Sequence, residues 1–347
     1  MKKILLTGGG SAGHVIPNIA LIPDLEQNYE LAYIGTNGIE KEIVKRAKLP
    51  FYTIEASKFV RGSILKNLTL PFKVIKSVKQ AKKGLKIIKP DAVFSKGGYV
   101  SLPVAIAAKK MKIPVISHES DLNAGLANKL IAKYSKCVLT SFPETATTIK
   151  KGKFSGPPLR KELFNCDKQL ALSYYGFTGS RPVLLIFGGG SGSCAINKAI
   201  RDNIFAITRN FDVLHICGKN NIVSANIKNY IQKEFETDMP LAYSVADIII
   251  SRAGSNTLFE IIALKKKALV IPLENKRSRG DQIDNANYFK NLNLINVFKE
   301  EMLKDNKLFV KKINETYADD ALKNSLNESE ICAGNYDICN EIKRYCN

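Results

Sequence analysis

Two copies of one local pattern constrain the fold of this chain more than any other feature. At Lys2–Pro17 a short apolar run ends in consecutive glycines, and His14 follows them. At Arg181–Ser193 a second apolar run ends in three glycines of its own. A short apolar run followed by glycine is typical of a buried parallel strand that turns tightly into a helix. Since each copy heads its own block of sequence, the pattern predicts two α/β domains with parallel sheets.

The length of the chain agrees with two domains, because 347 residues exceed what one ordinary α/β domain needs. We place the first domain at 1–160 and the second at 161–331, divided at the irregular segment Ser155–Arg160. In the first domain Val138–Thr140 is expected to close the sheet. The last residues, about 332–347, are expected to form an amphipathic helix that packs back on the first domain and carries three cysteines on one face.

The chain is strongly basic, with a net charge of +20, and the excess is uneven. From Ser57 to Pro90 there are many lysines and no Asp or Glu. This run is either a solvated basic helix face or a surface that rests on an anionic bilayer. Apolar residues among the lysines favour the bilayer, and the scarcity of aromatic residues argues against nucleic acid. The candidate membrane residues are Ile64, Leu65, Leu68, Phe72 and Ile75.

The absence of certain residue types argues against several classes of cofactor. A dinucleotide site needs an acidic residue after the second strand, and here the two corresponding strands end in Gly35-Thr36 and Cys217-Gly218. No Asp-X-Asp pair offers carboxylates to a metal, and the seven cysteines lack metal-ligand spacing, which favours free core thiols. No apolar run has the roughly 18 residues of a membrane span, and no signal peptide is recognisable. We expect no cofactor, no metal and no nucleic-acid partner.

Three groups of residues are candidates for chemistry. The glycine turn before Ser193 and the loop Arg252–Ser255 would each open a helix, and two helix N-termini suit a diphosphate. Glu260, on the second of these helices, is either a partner of the helix dipole or an acceptor for ribose hydroxyls. His14 would act as general base or sugar contact, because a glycine turn has little need of an imidazole for packing. His118 stays open between structure and ligand binding, and His215 reads as a core histidine.

Several blocks, in their order along nearly the whole chain, resemble the MurG family of glycosyltransferases. The matching blocks are Gly9–His14, Ser95–Val100, His118–Asp121, Gly156–Arg160, Ser251–Ser255 with Glu260, and Asp281–Ala286. This chain departs from the family's usual pattern at four positions. Ser11 occupies a position where the family usually has Thr, and Ala12 one where it usually has Gly. Gly190 occupies the position of a serine, with Ser191 next to it, and Asp121 occupies a position that is often Asn.

The resemblance implies a GT-B fold, in which two Rossmann-like domains face each other across a cleft. It also implies an inverting transferase that moves N-acetylglucosamine from UDP-N-acetylglucosamine to the C4 hydroxyl of the muramoyl sugar of lipid I, making lipid II for peptidoglycan. The implied location is the cytoplasmic face of the cell membrane, as a peripheral protein. Implied partners are both substrates, anionic inner-leaflet phospholipids and cell-wall assembly proteins that act in cell shape and division.

Site residues follow from the same resemblance. The proton acceptor would be His14 or a nearby carboxylate, Glu119 or Asp121. Acceptor contacts would come from Ser11, Ala12, Gly13 and Asp121. The donor would be held by Arg160, Gly190, Ser191, Arg252, Ser255, Asn256, Glu260, Asp281, Gln282 and Asn285. Two alternatives remain: another GT-B transferase with a different lipid acceptor, and a catalytically silent relative that only binds a lipid-linked sugar.

Overall fold

A computed structural model of the protein describes residues 1–59, 68–274 and 280–346. The chain divides into two compact units, residues 1–160 together with 332–347, and residues 161–331. Each unit contains one parallel β-sheet with helices packed on it. The predicted fold class, two Rossmann-like α/β domains with parallel sheets, is confirmed.

The strands in the described residues are β1 Lys2–Thr7, β2 Tyr29–Gly35, β3 Phe51–Thr53, β4 Ala92–Ser95, β5 Val115–Glu119, β6 Cys137–Thr140, β7 Gly152–Phe154, β8 Val183–Phe187, β9 Asp212–Ile216, β10 Tyr230–Lys233, β11 Ile248–Ser251, β12 Lys267–Val270 and β13 Asn296–Val297. The first unit has the strand order β3-β2-β1-β4-β5-β6-β7, and the second has the order β10-β9-β8-β11-β12-β13.

The α-helices in the same residues are α1 Ile16–Ile19, α2 Ile22–Leu25, α3 Ile39–Arg46, α4 Leu70–Ile88, α5 Ser101–Lys110, α6 Leu126–Ala132, α7 Pro143–Thr148, α8 Lys168–Tyr175, α9 Cys194–Asp202, α10 Ile204–Ile207, α11 Met239–Val245, α12 Ser255–Ala263, α13 Asp281–Asn291, α14 Asn306–Ala318, α15 Asp320–Glu328 and α16 Asn335–Tyr345. Short 3-10 helices lie at Ala12–His14, Lys161–Phe164 and Glu300–Lys304.

Strand β1 shows why the sheet of the first unit is buried on both faces. Ile4 and Leu6 belong to one apolar cluster, which also contains Ile338 of α16, whereas Leu5 belongs to a second cluster with Leu85 of α4. Successive side chains of a strand point to opposite faces, so a continuous apolar run requires helices on both sides. The C-terminal helix α16 therefore completes one face of the first unit's core.

Three local expectations differ from the structure. Strand β6 does not close the sheet, because the three-residue strand β7 pairs with its outer edge and is too short to show an apolar pattern. The single helix expected after the first glycine turn is replaced by two short helices, α1 and α2, each with a proline in its first turn, where the missing N–H costs nothing. Helix α16 carries only Cys339, since Cys332 and Cys346 lie outside its bounds.

In each sheet, the order of successive strands reverses at one pair of neighbouring strands. In the first unit β1 leads to β2 on one side, and β4 leads to β5 on the other. In the second unit β8 and β11 are the corresponding pair. Ligands of open α/β sheets bind beyond the carboxyl ends of the strands at such a point. The glycine-containing loops after these four strands are therefore where the fold places a binding site in each unit.

Candidate functional site

In the first unit, the loops after β1 and β4 are packed closely against each other. Gly98 has a φ of +80°, which only glycine adopts at little cost. A Cβ atom on Gly98 would also lie 2.5 Å from the Gly9 carbonyl oxygen and 3.0 Å from a ring carbon of His14. Any larger residue would therefore push the two loops apart. The two glycine turns form one surface, with Ser11 and Gly13 exposed on it and Ala12 half-buried.

Two buried side chains hold the first of these loops. Glu40, fully buried, accepts hydrogen bonds from the Gly10 and Thr36 amides at 3.3 and 2.9 Å. The Tyr33 hydroxyl donates to the Gly8 carbonyl oxygen at 2.8 Å. Sequence reasoning missed both residues. A glutamate at the start of α3 looks like an ordinary surface charge, and nothing local indicates that its carboxylate reaches a loop 30 residues earlier.

The ring of His14 is oriented by the loop after β4. Its Nδ1 atom lies 3.2 Å from the carbonyl oxygen of Lys96. A carbonyl oxygen can only accept, so in the neutral ring Nδ1 carries the proton and Nε2 carries the lone pair. This is the tautomer that a general base needs when its Nε2 receives a proton from a substrate hydroxyl.

His118 belongs to a buried network. Its Nδ1 atom lies 2.9 Å from Nζ of Lys96, and its Nε2 lies 3.1 Å from the Gly156 carbonyl oxygen. Burial, with the nearby Lys96 charge as a second cause, lowers the pKa of His118 well below its ordinary value, so the ring stays neutral. The network joins the loops after β4 and β5 to the segment at Gly156. Among the described residues, the contacts of His118 are those of a residue with a structural role.

The two candidate carboxylates of the first unit lie in different surroundings. Glu119 is buried, and its oxygens accept from the amides of Ser120, Asp121 and Gly125 at 2.8, 2.9 and 3.1 Å and from the Asn128 side chain at 2.9 Å. Burial, followed by the Asp121 charge, raises the pKa of Glu119. Asp121 is half-buried. Glu119 therefore stabilises the conformation of its own loop, whereas Asp121 lies nearer to the surface.

In the second unit, the loops after β8 and β11 open onto the N-termini of α9 and α12. Ser193 is the N-cap of α9, and its hydroxyl accepts from the Ile196 amide at 3.4 Å. Gly190 and Ser191 are exposed, and no atom lies within 4 Å of the position of a Cβ on Gly190. Because β8 and β11 are neighbours, two helix N-termini start at the same edge of one sheet.

Arg252 ties three loops of this unit together. Its Nη2 atom donates to the Ser193 hydroxyl at 2.7 Å, and Nη1 donates to the Ile271 carbonyl oxygen at 3.2 Å and to the Glu300 carboxylate at 2.5 Å. The side chain is only 11% exposed. The guanidinium thus brings positive charge beside the N-terminus of α9 and also fixes the loop geometry around it.

Glu260 lies in the second turn of α12 and is half-buried. The hydroxyl of Tyr243 donates to its Oε2 atom at 2.9 Å. Tyr243 is itself buried and packs edge-on against Phe187 at the end of β8. A rigid aromatic residue therefore orients the carboxylate, and no sequence signal marked Tyr243 for this position.

The remaining donor candidates differ in exposure. Gln282 accepts from the Leu273 amide at 3.0 Å and thereby holds the segment after β12. Asn285 is fully buried and Asp281 is half-buried in the first turn of α13. Ser255 and Asn256 begin α12, with Ser255 buried. Arg160, assigned to the first unit, is half-buried at the end of its irregular segment.

Other predictions concern the surface and metals. Leu68, Phe72 and Ile75 are 63%, 75% and 55% exposed, whereas Ile64 and Leu65 lie outside the described residues. No helix in the described ranges is long and apolar enough to cross a membrane. Among the same residues, no group of three or more His, Cys, Asp or Glu side chains is arranged to hold a metal ion.

The cysteine and core-histidine expectations can be compared directly with the structure. All seven cysteines, each within the described residues, are free thiols, but only Cys137, Cys217 and Cys346 are buried. His215 is a core histidine as predicted. Its Nδ1 accepts from the Tyr230 hydroxyl at 2.9 Å, and its Nε2 bonds the Asn197 amide oxygen at 3.0 Å. Burial lowers the pKa of His215 to about 3.

Comparison with known proteins agrees with this geometry. Residues 4–140 match the glycosyltransferase family 28 N-terminal domain, and residues 183–341 match the family's C-terminal domain. Curated UDP-N-acetylglucosamine–N-acetylmuramyl-(pentapeptide) pyrophosphoryl-undecaprenol N-acetylglucosamine transferases of Clostridium botulinum (strain Loch Maree) and Clostridium perfringens (strain SM101) are 46% and 43% identical, over 99% of this chain and 99% and 98% of their own lengths. The crystal structure of Acinetobacter baumannii MurG has a TM-score of 0.72 at 25% identity, covering 99% of this chain and all of that one.

Proposed function

Because the chain belongs to glycosyltransferase family 28, and within it to the MurG transferases, we propose a division of labour between its two units. The enzyme transfers N-acetylglucosamine from UDP-N-acetylglucosamine to lipid I, which gives lipid II for peptidoglycan. Unit 161–331 binds the nucleotide sugar, and unit 1–160 with 332–347 binds the lipid-linked acceptor. The observation that carries the proposal is the pair of glycine loops at the point where the strand order of each sheet reverses.

The donor diphosphate is held by the N-termini of α9 and α12. Backbone amides at these ends and the positive end of each helix dipole favour an anion, and the Arg252 guanidinium adds a full charge beside them. Exposed Gly190 and Ser191 allow close approach of the phosphates. Glu260, oriented by Tyr243, accepts hydrogen bonds from the ribose hydroxyls. Asp281 and Gln282 bind the N-acetylglucosamine. As UDP leaves, these positive groups stabilise the charge that develops on it, so no metal is required.

Proton transfer on the acceptor side is assigned to His14. Its Nδ1–H donates to the Lys96 carbonyl oxygen, which directs the basic Nε2 toward a substrate hydroxyl. The C4 hydroxyl of the muramoyl sugar loses its proton to Nε2 as its oxygen attacks the anomeric carbon. The bond from that carbon to the UDP oxygen breaks at the same time, and the configuration inverts. Ser11 and Gly13 on the exposed glycine surface contact the acceptor.

Transfer of labelled N-acetylglucosamine from UDP-N-acetylglucosamine tests this proposal directly. We expect the product with a lipid I analogue and not with diacylglycerol, and we expect equal rates with and without EDTA. Product on diacylglycerol alone would identify the other lipid transferase. Binding of UDP-N-acetylglucosamine without any transfer would identify the silent relative. Gly190 and Asp121 depart from the family's usual pattern and are the features on which the silent relative depends, but curated relatives at 46% and 43% identity are transferases and favour neither alternative.

We further propose that the apolar residues before and on α4 rest on the anionic inner face of the cell membrane. Phe72 and Ile75 lie one turn apart on the helix, so they share one face with lysines on either side, and Leu68 precedes them. Exposed apolar side chains beside basic charge bind anionic lipid surfaces by partition and attraction together. This location gives the enzyme access to a lipid-linked acceptor, and contacts to cell-wall assembly proteins would be made from there.

The double replacement Phe72→Ser and Ile75→Ser is expected to weaken binding to vesicles that contain phosphatidylglycerol about tenfold or more. The reason is that each of these side chains contributes about 1 kcal/mol or more when it is buried in the lipid surface. Vesicle sedimentation measures the effect. Ile87→Ser is the matched control, because Ile87 is 69% exposed on the same helix but 12 residues from Ile75. Equal loss in the control, or unchanged binding in the double variant, would contradict the proposed membrane face.

A further inference from the structure

Tyr243 links two parts of the proposed donor site in unit 161–331. It lies on α11 and is only 1% exposed. Its ring packs edge-on against Phe187, with the ring centroids 5.9 Å apart, and Phe187 is the last residue of β8, directly before the glycine turn. The Tyr243 hydroxyl donates to Oε2 of Glu260 on α12 at 2.9 Å. One buried side chain therefore connects the end of β8 with the second turn of α12.

The hydrogen bond from Tyr243 fixes the position of a carboxylate oxygen on a flexible side chain. Glu260 is half-buried, and a glutamate side chain has three rotatable bonds. Ordering such a side chain when a ligand binds costs free energy and lowers the affinity. The ring of Tyr243 is held by burial and by its contact with Phe187, so its hydroxyl donates from a fixed position. The carboxylate is thus oriented before the ligand arrives, and part of the ordering cost is removed.

The same hydrogen bond is compatible with the binding of hydroxyl groups by Glu260. An ionised carboxylate only accepts hydrogen bonds and has about four lone-pair sites, so it can accept from Tyr243 and from ligand hydroxyls together. Hydrogen bonds to an ionised group are stronger than those between neutral groups. Two adjacent hydroxyl groups, as on an intact ribose, match a carboxylate whose orientation is fixed. A dideoxyribose lacks both donors and gains nothing from that orientation.

We propose that Tyr243 is a positioning residue that makes the donor site selective for a nucleotide with an intact ribose, because it orients Glu260 toward the two ribose hydroxyls. The inference rests on the proposed function, in which Glu260 accepts from the ribose. Tyr243 is buried and acts through Glu260. Its hydroxyl therefore affects the affinity for the nucleotide and the discrimination between ribose and dideoxyribose, and it leaves the rate of the transfer step nearly unchanged.

The test compares the dissociation constants of UDP and 2′,3′-dideoxy-UDP, measured by calorimetry on the full chain. Wild type is expected to bind UDP about 30-fold more tightly, because the analogue leaves the site's hydrogen-bond acceptor without its donors. Tyr243→Phe keeps the ring and its contact with Phe187 but removes the hydroxyl. It is expected to weaken binding of UDP about fivefold and binding of the analogue less than about twofold. Unchanged selectivity in Tyr243→Phe would overturn the proposal.

Tyr175→Phe is the matched control for the loss of a buried hydroxyl. Tyr175 lies in the same unit, is also buried, and donates to the Glu236 carboxylate at 2.8 Å. Each variant removes one hydrogen bond from a tyrosine to a carboxylate, so we expect similar losses of thermal stability. The selectivity of Tyr175→Phe should stay within about twofold of wild type. An equal loss of selectivity in Tyr175→Phe would mean that a general effect on the fold explains the result, and the role assigned to Tyr243 would be wrong.

A double-mutant cycle tests whether Tyr243 acts through Glu260. Glu260→Ala should abolish the selectivity, and adding Tyr243→Phe should then change the dissociation constant of UDP by less than about twofold. Additive losses would contradict the proposal. In transfer to a lipid I analogue at saturating UDP-N-acetylglucosamine, Tyr243→Phe should keep kcat within about threefold of wild type. A loss of kcat of about tenfold or more would assign the hydroxyl to the chemical step and overturn the positioning role.

The wild-type protein separates a failure of this inference from a failure of the proposed function. If wild type binds UDP and its dideoxy analogue equally, Glu260 does not bind the ribose and the proposed donor site is wrong. If wild type discriminates between them and Tyr243→Phe discriminates equally well, the donor site stands and only the role of Tyr243 fails.

Discussion

Replacing His14 with alanine is expected to lower kcat for transfer to a lipid I analogue by about 10²- to 10⁴-fold, the usual contribution of a general base. KM for UDP-N-acetylglucosamine should change by less than about twofold, because the donor-site candidates from Gly190 to Asn285 lie in the other unit. The reason is the position of the ring. Nδ1 is held by the Lys96 carbonyl oxygen at 3.2 Å, and Gly98 packs against a carbon of the same ring, where a Cβ would lie 3.0 Å away.

His14→Asn separates the chemical role of this side chain from its role in packing. The asparagine amide can still donate to the Lys96 carbonyl oxygen, so the contact between the two loops is retained. It cannot accept the proton that leaves the substrate hydroxyl. We expect His14→Asn to be as inactive as His14→Ala, with an unchanged thermal midpoint. If His14→Asn kept activity within a few-fold of wild type, the ring would serve as a spacer and the base would be another group.

Replacing Arg252 with alanine is expected to lower kcat/KM for UDP-N-acetylglucosamine by about 10²-fold, comparable to removing one group that stabilises developing charge. The same change should lower the free energy of unfolding by about 2 kcal/mol. Fully buried ion pairs lose more when one partner is removed, but the Glu300 side chain is 28% exposed and water replaces part of the lost interaction. Steady-state kinetics and urea unfolding measure the two effects.

Glu300→Gln is the control for the clamp formed by Arg252. The amide oxygen still accepts from the guanidinium, and the positive charge beside Ser193 remains. We therefore expect a smaller loss of stability than in Arg252→Ala and a kcat/KM within about threefold of wild type. If Glu300→Gln lost as much activity as Arg252→Ala, loop geometry alone would explain Arg252 and its charge would have no part in catalysis.

Several features of the site were accessible from local sequence. The strand–glycine–helix pattern placed His14 directly after the turn that follows β1, because the pattern depends only on neighbouring residues. It likewise placed Arg252 in the loop between β11 and α12. The residue roles taken from family resemblance remain predictions. Asn285 illustrates why, since it is fully buried, and a motif match does not reveal whether a side chain faces a ligand or the core.

Residues that organise the site without touching a substrate were not accessible in this way. Glu40 bonds Gly10, 30 residues away, and Lys96 bonds His118, 22 residues away. A sequence indicates that a lysine follows a strand, but not which loops its side chain will meet. That depends on the strand order β2-β1-β4-β5, in which neighbours in space are not neighbours along the chain.

The sequence by itself determined that this chain forms two parallel α/β units with glycine loops after their central strands, and that its motifs are those of a glycosyltransferase. Short-range sterics and the burial of apolar runs decide the two units and their loops, so these can be recognised within a few residues, whereas the glycosyltransferase motifs were recognised by resemblance to a known family. Only the tertiary structure decided that Lys96 is buried beside His118 and that Arg252 joins three loops. Those contacts exist because strands far apart in the chain end at the same edge of a sheet, where charges must find partners away from water.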